Sequence, residues 1–349
     1  LSGYDPRKGR SIVRGKSRAG SAAGRKIDYT LSEVFSIFYE AKKAERVRDR
    51  TLEDYVINWG YFTEWLREDM LASELTPERI RKYINYMSTK KKYSEVKDRK
   101  KTEETLSTQT LISRLSTLRT LFNWLAANNY LEPNPMSGIK MPKKDEVEKA
   151  TYTDDNFLQL LKAPDEETYA GYRDKVLMMT LGDGGFRIHE LLLLMTEYLD
   201  VKGRCIYLPA SMNKNRKPRW VPLSADTIRN LVNLINETKQ YFDTAYIFVS
   251  NYGEPLKADN FRKRLKKYAK IAGVDPGIVF PHQFRSYFCT SYLLNGGDPF
   301  TLRKIVAHSR IETTQRYVRM NQDNIRDQHT KFSPVQRAAR IKRKKSDWD

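Results

Sequence analysis

A nineteen-residue stretch, EPNPMSGIKMPKKDEVEKA at 132–150, cuts the chain in two. It holds three prolines and one glycine among mixed charges. Proline lacks a backbone donor and fixes φ, so neither a regular helix nor a central strand runs through such a segment. Apolar residues repeat differently on its two sides. Before it they recur at spacings of three and four; after it, short alternating runs bounded by turn residues join the helical ones. The sequence therefore predicts a helical domain at 28–131, a linker at 132–150 and a mixed α/β domain at 151–330. The 349 residues suffice for two domains.

The helical half is legible in detail. Thr30 and Glu33 predict a capping box before a stripe of Leu31, Val34, Phe35 and Phe38. In RTLEDYVINWGYFTEWLRE, Leu52, Tyr55, Val56, Trp59, Phe62, Trp65 and Leu66 mark a second amphipathic helix. LTPERIRKYINYM begins a third, with Pro77 in its first turn. STQTLISRLSTLRTLFNWLAANNYL is a fourth, ending near Asn128–Asn129. Residues 90–105, KKKYSEVKDRKKTEET, are charged and aperiodic and read as a long loop or a frayed helix extension.

Beyond the break, TYTDDNFLQLL is a capped helix, and YRDKVLMMTLGDGGFRIHELLLL reads as two buried helices broken at Gly182–Gly185. GRCIYLPA and RWVPLS flank the turn SMNKNRKP as a β-hairpin, EYLDV offers a third strand, and YIFVS carries a further strand signal. A basic helix, NFRKRLKKYAKIAG, follows, and 281–328 is helical in pattern. The fold class is mainly α with a small antiparallel β-sheet.

Composition narrows the partners. Lys and Arg outnumber Asp and Glu by 63 to 43, a net charge of +20, and such a field attracts polyanions, nucleic acid first. The charge is uneven: residues 1–26 carry +7 and residues 331–349 carry +5, leaving +8 for the rest. The sequence thus predicts a flexible basic arm at 1–27 and a basic tail at 331–349. Cys205 and Cys289 suit neither a disulfide scaffold nor a zinc site, which leads us to expect a reducing, cytoplasmic setting. No apolar run reaches membrane-spanning length, and none near residue 1 resembles a secretory signal.

Chemistry-bearing residues gather in the second half. Arg187 stands in GFRIHELL; His282 and Arg285 lie one helical turn apart in HQFR. Lys214 falls at the hairpin tip, with Lys217 as its local competitor. His308 and Tyr317 are nine residues apart in HSRIETTQRYVRM, and Ser309 with Glu312 predicts a helix start between them, which puts Thr313 and Tyr317 on one face. Each alone has a bland reading: an ion-pair partner, a chance HxxR, a solvated lysine, a packed tyrosine. Together they suit phosphoryl transfer. Two guanidiniums can hold non-bridging oxygens and stabilise a pentacoordinate state, a tyrosine hydroxyl can attack phosphorus, and a lysine can protonate the leaving oxygen. No Asp/Glu cluster has metal-like spacing, so no metal or other cofactor is expected.

In this order the motifs resemble the tyrosine recombinase family, the phage integrases and Xer-type recombinases. Arg187 and Glu190 match its GxRxxEL helix; Lys214 matches its hairpin lysine, seven residues before VPL; His282 and Arg285 match HxxR; His308 and Tyr317 match the final histidine and the tyrosine of TxxxY. Two departures are Ala307, where the family usually has glycine, and the long charged stretch 90–105. The resemblance implies a SAM-like helical core-binding domain at 28–131, a tyrosine recombinase catalytic domain at 151–330, and the two closing around a duplex as a C-shaped clamp. It also implies a catalytic set of Tyr317, Arg187, Lys214, His282, Arg285 and His308, metal- and ATP-independent strand exchange through a 3′-phosphotyrosyl link and a Holliday junction, and C-terminal segments traded between protomers. The implied partners are double-stranded DNA with specific recombination sites and a homotetramer on that DNA, a dimer per site, with room for accessory DNA-bending proteins. Type IB topoisomerase-like or protelomerase-like strand transfer, and a non-catalytic DNA-binding module, are the alternatives.

Overall fold

The computed structural model describes residues 28–92, 103–143, 152–213, 217–308, 310, 314, 326 and 329–335. The chain divides into two compact units, Leu1–Val147 and Glu148–Asp349.

Among its described residues the first unit holds four α-helices: α1 (Leu31–Ala44), α2 (Asp49–Leu66), α3 (Pro77–Thr89) and α4 (Thr108–Ala127). The Thr30–Glu33 capping box forms, with the Glu33 carboxylate accepting the Thr30 N–H at 2.8 Å. Pro77 opens α3, where its missing donor costs nothing. Helix α4 packs against the other three, because its apolar residues Leu111, Leu115, Leu118, Leu121, Phe122 and Leu125 are all buried. Aromatic rings fill the space between helices; Phe35 and Trp59 stack with centroids 4.9 Å apart. The N-terminal part of the expected linker belongs to this core: Met136 and Ile139 are buried in it, and Arg119 donates to the Ile139 carbonyl at 2.5 Å. Prolines interrupt the helix there, but the apolar residues between them still gain from burial.

The second unit holds α5 (Asp154–Lys162), α6 (Tyr169–Gly184), α7 (Ile188–Leu192), α8 (Ala225–Tyr241), α9 (Ala258–Ile271), α10 (Pro281–Leu294) and α11 (Pro299–Val306), with strands β1 (Leu199–Asp200), β2 (Cys205–Leu208) and β3 (Arg219–Pro222). The three strands form an antiparallel sheet in the order β1-β2-β3, Ile206 opposite Val221 and Tyr207 opposite Trp220. Helix α6 is apolar on most sides and packs against both α8 and α10.

One strand signal fails. YIFVS pairs only through isolated bridges, Met195 with Tyr246 and Val249 with Pro255. Ile247, Phe248 and Val249 are fully buried, and the Ile247 N–H donates to the Leu194 carbonyl. An apolar run buried on all sides looks like a strand in sequence whether or not a sheet receives it. The two cysteines are free. Among the described residues, no helix is long and apolar enough to cross a membrane.

Candidate active site

The break between α6 and α7 builds the first part of the site. Gly185 ends α6 at φ +60°, and a β-carbon there would stand 2.4 Å from Phe288 Cδ1. Only glycine meets both demands. The turn places Arg187 as the residue capping α7. One turn on, Glu190 accepts the Arg187 backbone N–H at 2.8 Å through one carboxylate oxygen and its guanidinium at 2.9 Å through the other. Arg187 stays 29% exposed, whereas Glu190 is 3% exposed.

Helix α10 supplies the hub. Pro281 starts it, His282 is exposed and Arg285 is 1% exposed. The Arg285 guanidinium donates to the carbonyls of Gly185 and Val306. It is thereby tied two residues upstream of Arg187 and two upstream of His308. Burial, and then the charge of Arg187, push the Arg285 guanidinium down to about 10. Among the described residues, the hydrogen-bond partners of that guanidinium are carbonyls and not carboxylates.

His308 follows α11. Ala307 closes that helix at φ +50°, the left-handed region glycine enters freely, so the family's glycine has its reason in the backbone. His308 is buried; its N–H donates to the Arg303 carbonyl, and its Nδ1 lies 3.0 Å from the Thr314 hydroxyl. Where that hydroxyl donates to Nδ1, the neutral ring carries its proton on Nε2 and can donate it. Burial, then the charges of Arg285, Arg187, His282 and Arg219, lower the His308 imidazole to about 4.

The last named charge belongs to a residue the sequence reading missed. Arg219 opens β3 and is buried. It donates to both Glu190 oxygens, at 2.7 and 3.2 Å, and to the Asn213 side-chain oxygen. Burial would raise the Glu190 carboxyl, but the Arg219 guanidinium, helped by Arg187, holds it below the usual range. The signal was available: in a strand whose alternate residues point inward, an arginine in phase with Val221 must meet a buried partner.

The structure thus brings Arg187, Arg285, His308 and the exposed His282 into one electrostatic neighbourhood. Lys214 and Tyr317, and the Ser309–Glu312 capping box, lie outside the described residues; Lys217 is exposed. Among the described residues no group of His, Cys, Asp and Glu could hold a metal ion. Chemically, the cluster offers hydrogen-bond donors and positive charge around a single carboxylate already shared by two arginines. Such a set favours an anion with several oxygens.

Comparison with known proteins agrees. The phage integrase family model matches residues 151–324, and the phage integrase SAM-like domain model matches residues 30–143. Tyrosine recombinase XerC of Thermodesulfovibrio yellowstonii is 27% identical over 238 residues, 66% of this chain and 77% of that protein. XerC of Pelotomaculum thermopropionicum is 25% identical over 320 residues, 88% of this chain and 98% of that protein. Among solved structures, the Tn1549 transposon integrase in complex with circular intermediate DNA matches with a TM-score of 0.68 at 16% identity, over 87% of this chain and 100% of that one. A lambda integrase tetramer bound to a Holliday junction matches with a TM-score of 0.64 at 17% identity, over 85% of this chain and 80% of that one. Two family models that adjoin across almost the whole described chain, on a fold those integrases share, leave one conclusion: the chain belongs to the phage integrase family and is a tyrosine-type site-specific recombinase.

Proposed function

We propose that the protein cleaves and rejoins double-stranded DNA at specific recombination sites, with residues 28–131 as the core-binding part and 151–330 as the catalytic part. The observation that carries this reading is the excess of arginine cations, Arg187, Arg219 and Arg285, around Glu190, with the neutral His308 imidazole beside them as a hydrogen-bond donor. A phosphodiester supplies the missing negative charge and non-bridging oxygens to accept their hydrogen bonds.

Tyr317 attacks the scissile phosphorus and forms a 3′-phosphotyrosyl bond as the bond to the 5′ oxygen breaks. Lys214 delivers a proton to that oxygen and leaves a 5′-hydroxyl. His282 assists proton transfer from the tyrosine or holds the phosphate, while Arg187, Arg285 and His308 stabilise the pentacoordinate state. The partner strand's 5′-hydroxyl then attacks the link, and a second round passes through a Holliday junction. One phosphodiester replaces another, so no ATP is needed. Four protomers, two per site, carry out the exchange in the cytoplasm, with the basic segments 1–27 and 331–349 adding phosphate contacts. That lambda integrase is seen as a tetramer on a Holliday junction supports this assembly.

Trapping on a nicked suicide duplex tests the reading. The unaltered protein should form an adduct that survives denaturing electrophoresis, and sequencing the attached DNA gives the site. Tyr317→Phe should bind that DNA and form none; an adduct persisting in this variant would overturn the assignment. Affinity should fall with salt at a log–log slope of about −0.9 per phosphate contact.

A further inference from the structure

We propose that Arg219 and Asn213 are positioning residues that hold the hairpin loop bearing Lys214 in register with the helix bearing Arg187. The inference rests on the reading that Lys214 is the general acid and Arg187 a phosphate ligand.

The geometry is a chain of contacts through three elements. From α7, Glu190 binds Arg187 with both carboxylate oxygens and binds Arg219 with the same two. From β3, Arg219 reaches past Glu190 to the Asn213 side-chain oxygen. At the end of the hairpin loop, the Asn213 amide donates to the Lys217 carbonyl at 2.6 Å. Asn213 is fully buried, and its amide ties one end of the loop to the exposed Lys217 at the other. The next residue in the chain is Lys214.

An arginine is needed at the centre of this chain. Its planar fork contacts a carboxylate side by side while still offering a hydrogen to a third acceptor; a lysine ammonium has no such geometry. The Arg219 Nε is buried and finds no hydrogen-bond partner among the described residues. The guanidinium is therefore placed for its contacts to Glu190 and Asn213 at the expense of its own saturation. Apolar packing of similar volume is often as stable as a buried ion pair. What such packing could not do is fix α7, β3 and the loop against one another. A general acid needs that fixing, because a displacement of about 1 Å can cost about 10²-fold in rate.

The test uses the full-length protein on the DNA site recovered by adduct trapping, with oxygen or sulfur bridging to the 5′ carbon. A sulfur leaving group needs no proton. Asn213→Ala and Arg219→Lys should slow single-turnover cleavage of the oxygen substrate by about 10²-fold, keep DNA affinity, and cleave the sulfur substrate within a few-fold of the unaltered protein. Lys214→Ala run alongside should show the same selectivity. If Lys214→Ala is rescued by sulfur while Asn213→Ala is slowed equally on both substrates, the positioning role is wrong and the reading of Lys214 stands. If Lys214→Ala is not rescued, the reading of Lys214 itself falls. Arg219→Lys disturbs a buried carboxylate and can fail to fold. Asn213→Ala leaves the Glu190 pairs intact and decides the matter alone.

Discussion

Two buried ionic networks stand in the second unit, and they are built to opposite ends. Around Asp174, Arg173 donates twice to one carboxylate oxygen, while Arg264 and the Tyr268 hydroxyl donate to the other. The remaining Arg173 nitrogen meets the Val249 carbonyl at 2.7 Å. Around Glu190, by contrast, Arg187 and Arg219 share one carboxylate, while among the described residues Arg285 donates to carbonyls only. The outcome shows in the guanidiniums. Burial works against Arg264, yet Asp174 more than compensates and its ionisation moves up; Arg285, without a carboxylate of its own, moves down to about 10. The first network also sets two arginines on one carboxylate, but both of them touch it directly, and it ties α6 to α9. The second, among the described residues, gives Arg285 no carboxylate, which is the arrangement the proposed phosphodiester contact calls for. Buried arginine therefore does not by itself signal function; buried arginine without its counter-charge does.

Mutations that exchange the roles of the two networks test that contrast. Asp174→Ala, which strands the Arg173 cation, should cost about 3–5 kcal/mol of stability, read from urea unfolding, while cleavage by the protein that remains folded changes only a few-fold. A large cleavage defect in that folded fraction would erase the distinction. Arg285→Lys should do the converse. Cleavage should fall by about 10²–10³-fold in single-turnover assays, with a smaller loss of stability than Asp174→Ala; unchanged cleavage would remove Arg285 from the site.

A pH series probes the second network alone. The His308 imidazole titrates at about 4 in the folded protein, against about 6.5 when unfolded. Between those values the unfolded chain binds the extra proton, so stability rises with pH. The contribution is fully present above about pH 6.5, lost as pH falls toward 4, and of the order of 3 kcal/mol. Urea unfolding of the unaltered protein and of His308→Gln at pH 7, 5.5 and 4.5 should show this slope only in the former. The smallest effect expected is at Ala307. Glycine there relieves a left-handed alanine worth about 1–2 kcal/mol but frees the unfolded chain by about 0.4–1 kcal/mol. Ala307→Gly should thus change stability by between about 0 and about +1.6 kcal/mol, and a loss of stability on thermal unfolding would show that the methyl group is packed usefully.

Local features were the readable ones. The Thr30–Glu33 box, Pro77 at the start of α3 and the break at Gly185 all depend on residues a few positions apart, so their signals lie side by side in the chain. The same holds for the GFRIHELL and HQFR motifs, whose residues sit one turn apart. Arg219 was missed because its chemistry depends on Glu190, 29 positions away. YIFVS was misjudged because burial on every side leaves no alternation to say what surrounds it. Met136 and Ile139 were assigned to a linker because prolines announce a break in secondary structure and say nothing about burial.

The sequence by itself determined most of the helices and the hairpin, and which reactive side chains the second half carries and in what order. Capping, periodicity and turn chemistry act within about four residues, so those decisions are local. Tertiary structure alone decided that Arg285 would hold a carbonyl 100 residues upstream and another 21 downstream. It alone decided that one glutamate would serve two arginines and that a histidine would be buried beside three cations. Those outcomes come from which helices pack together and what water they exclude. The charge imbalance among these buried groups is a property of that packing and of no stretch of the chain.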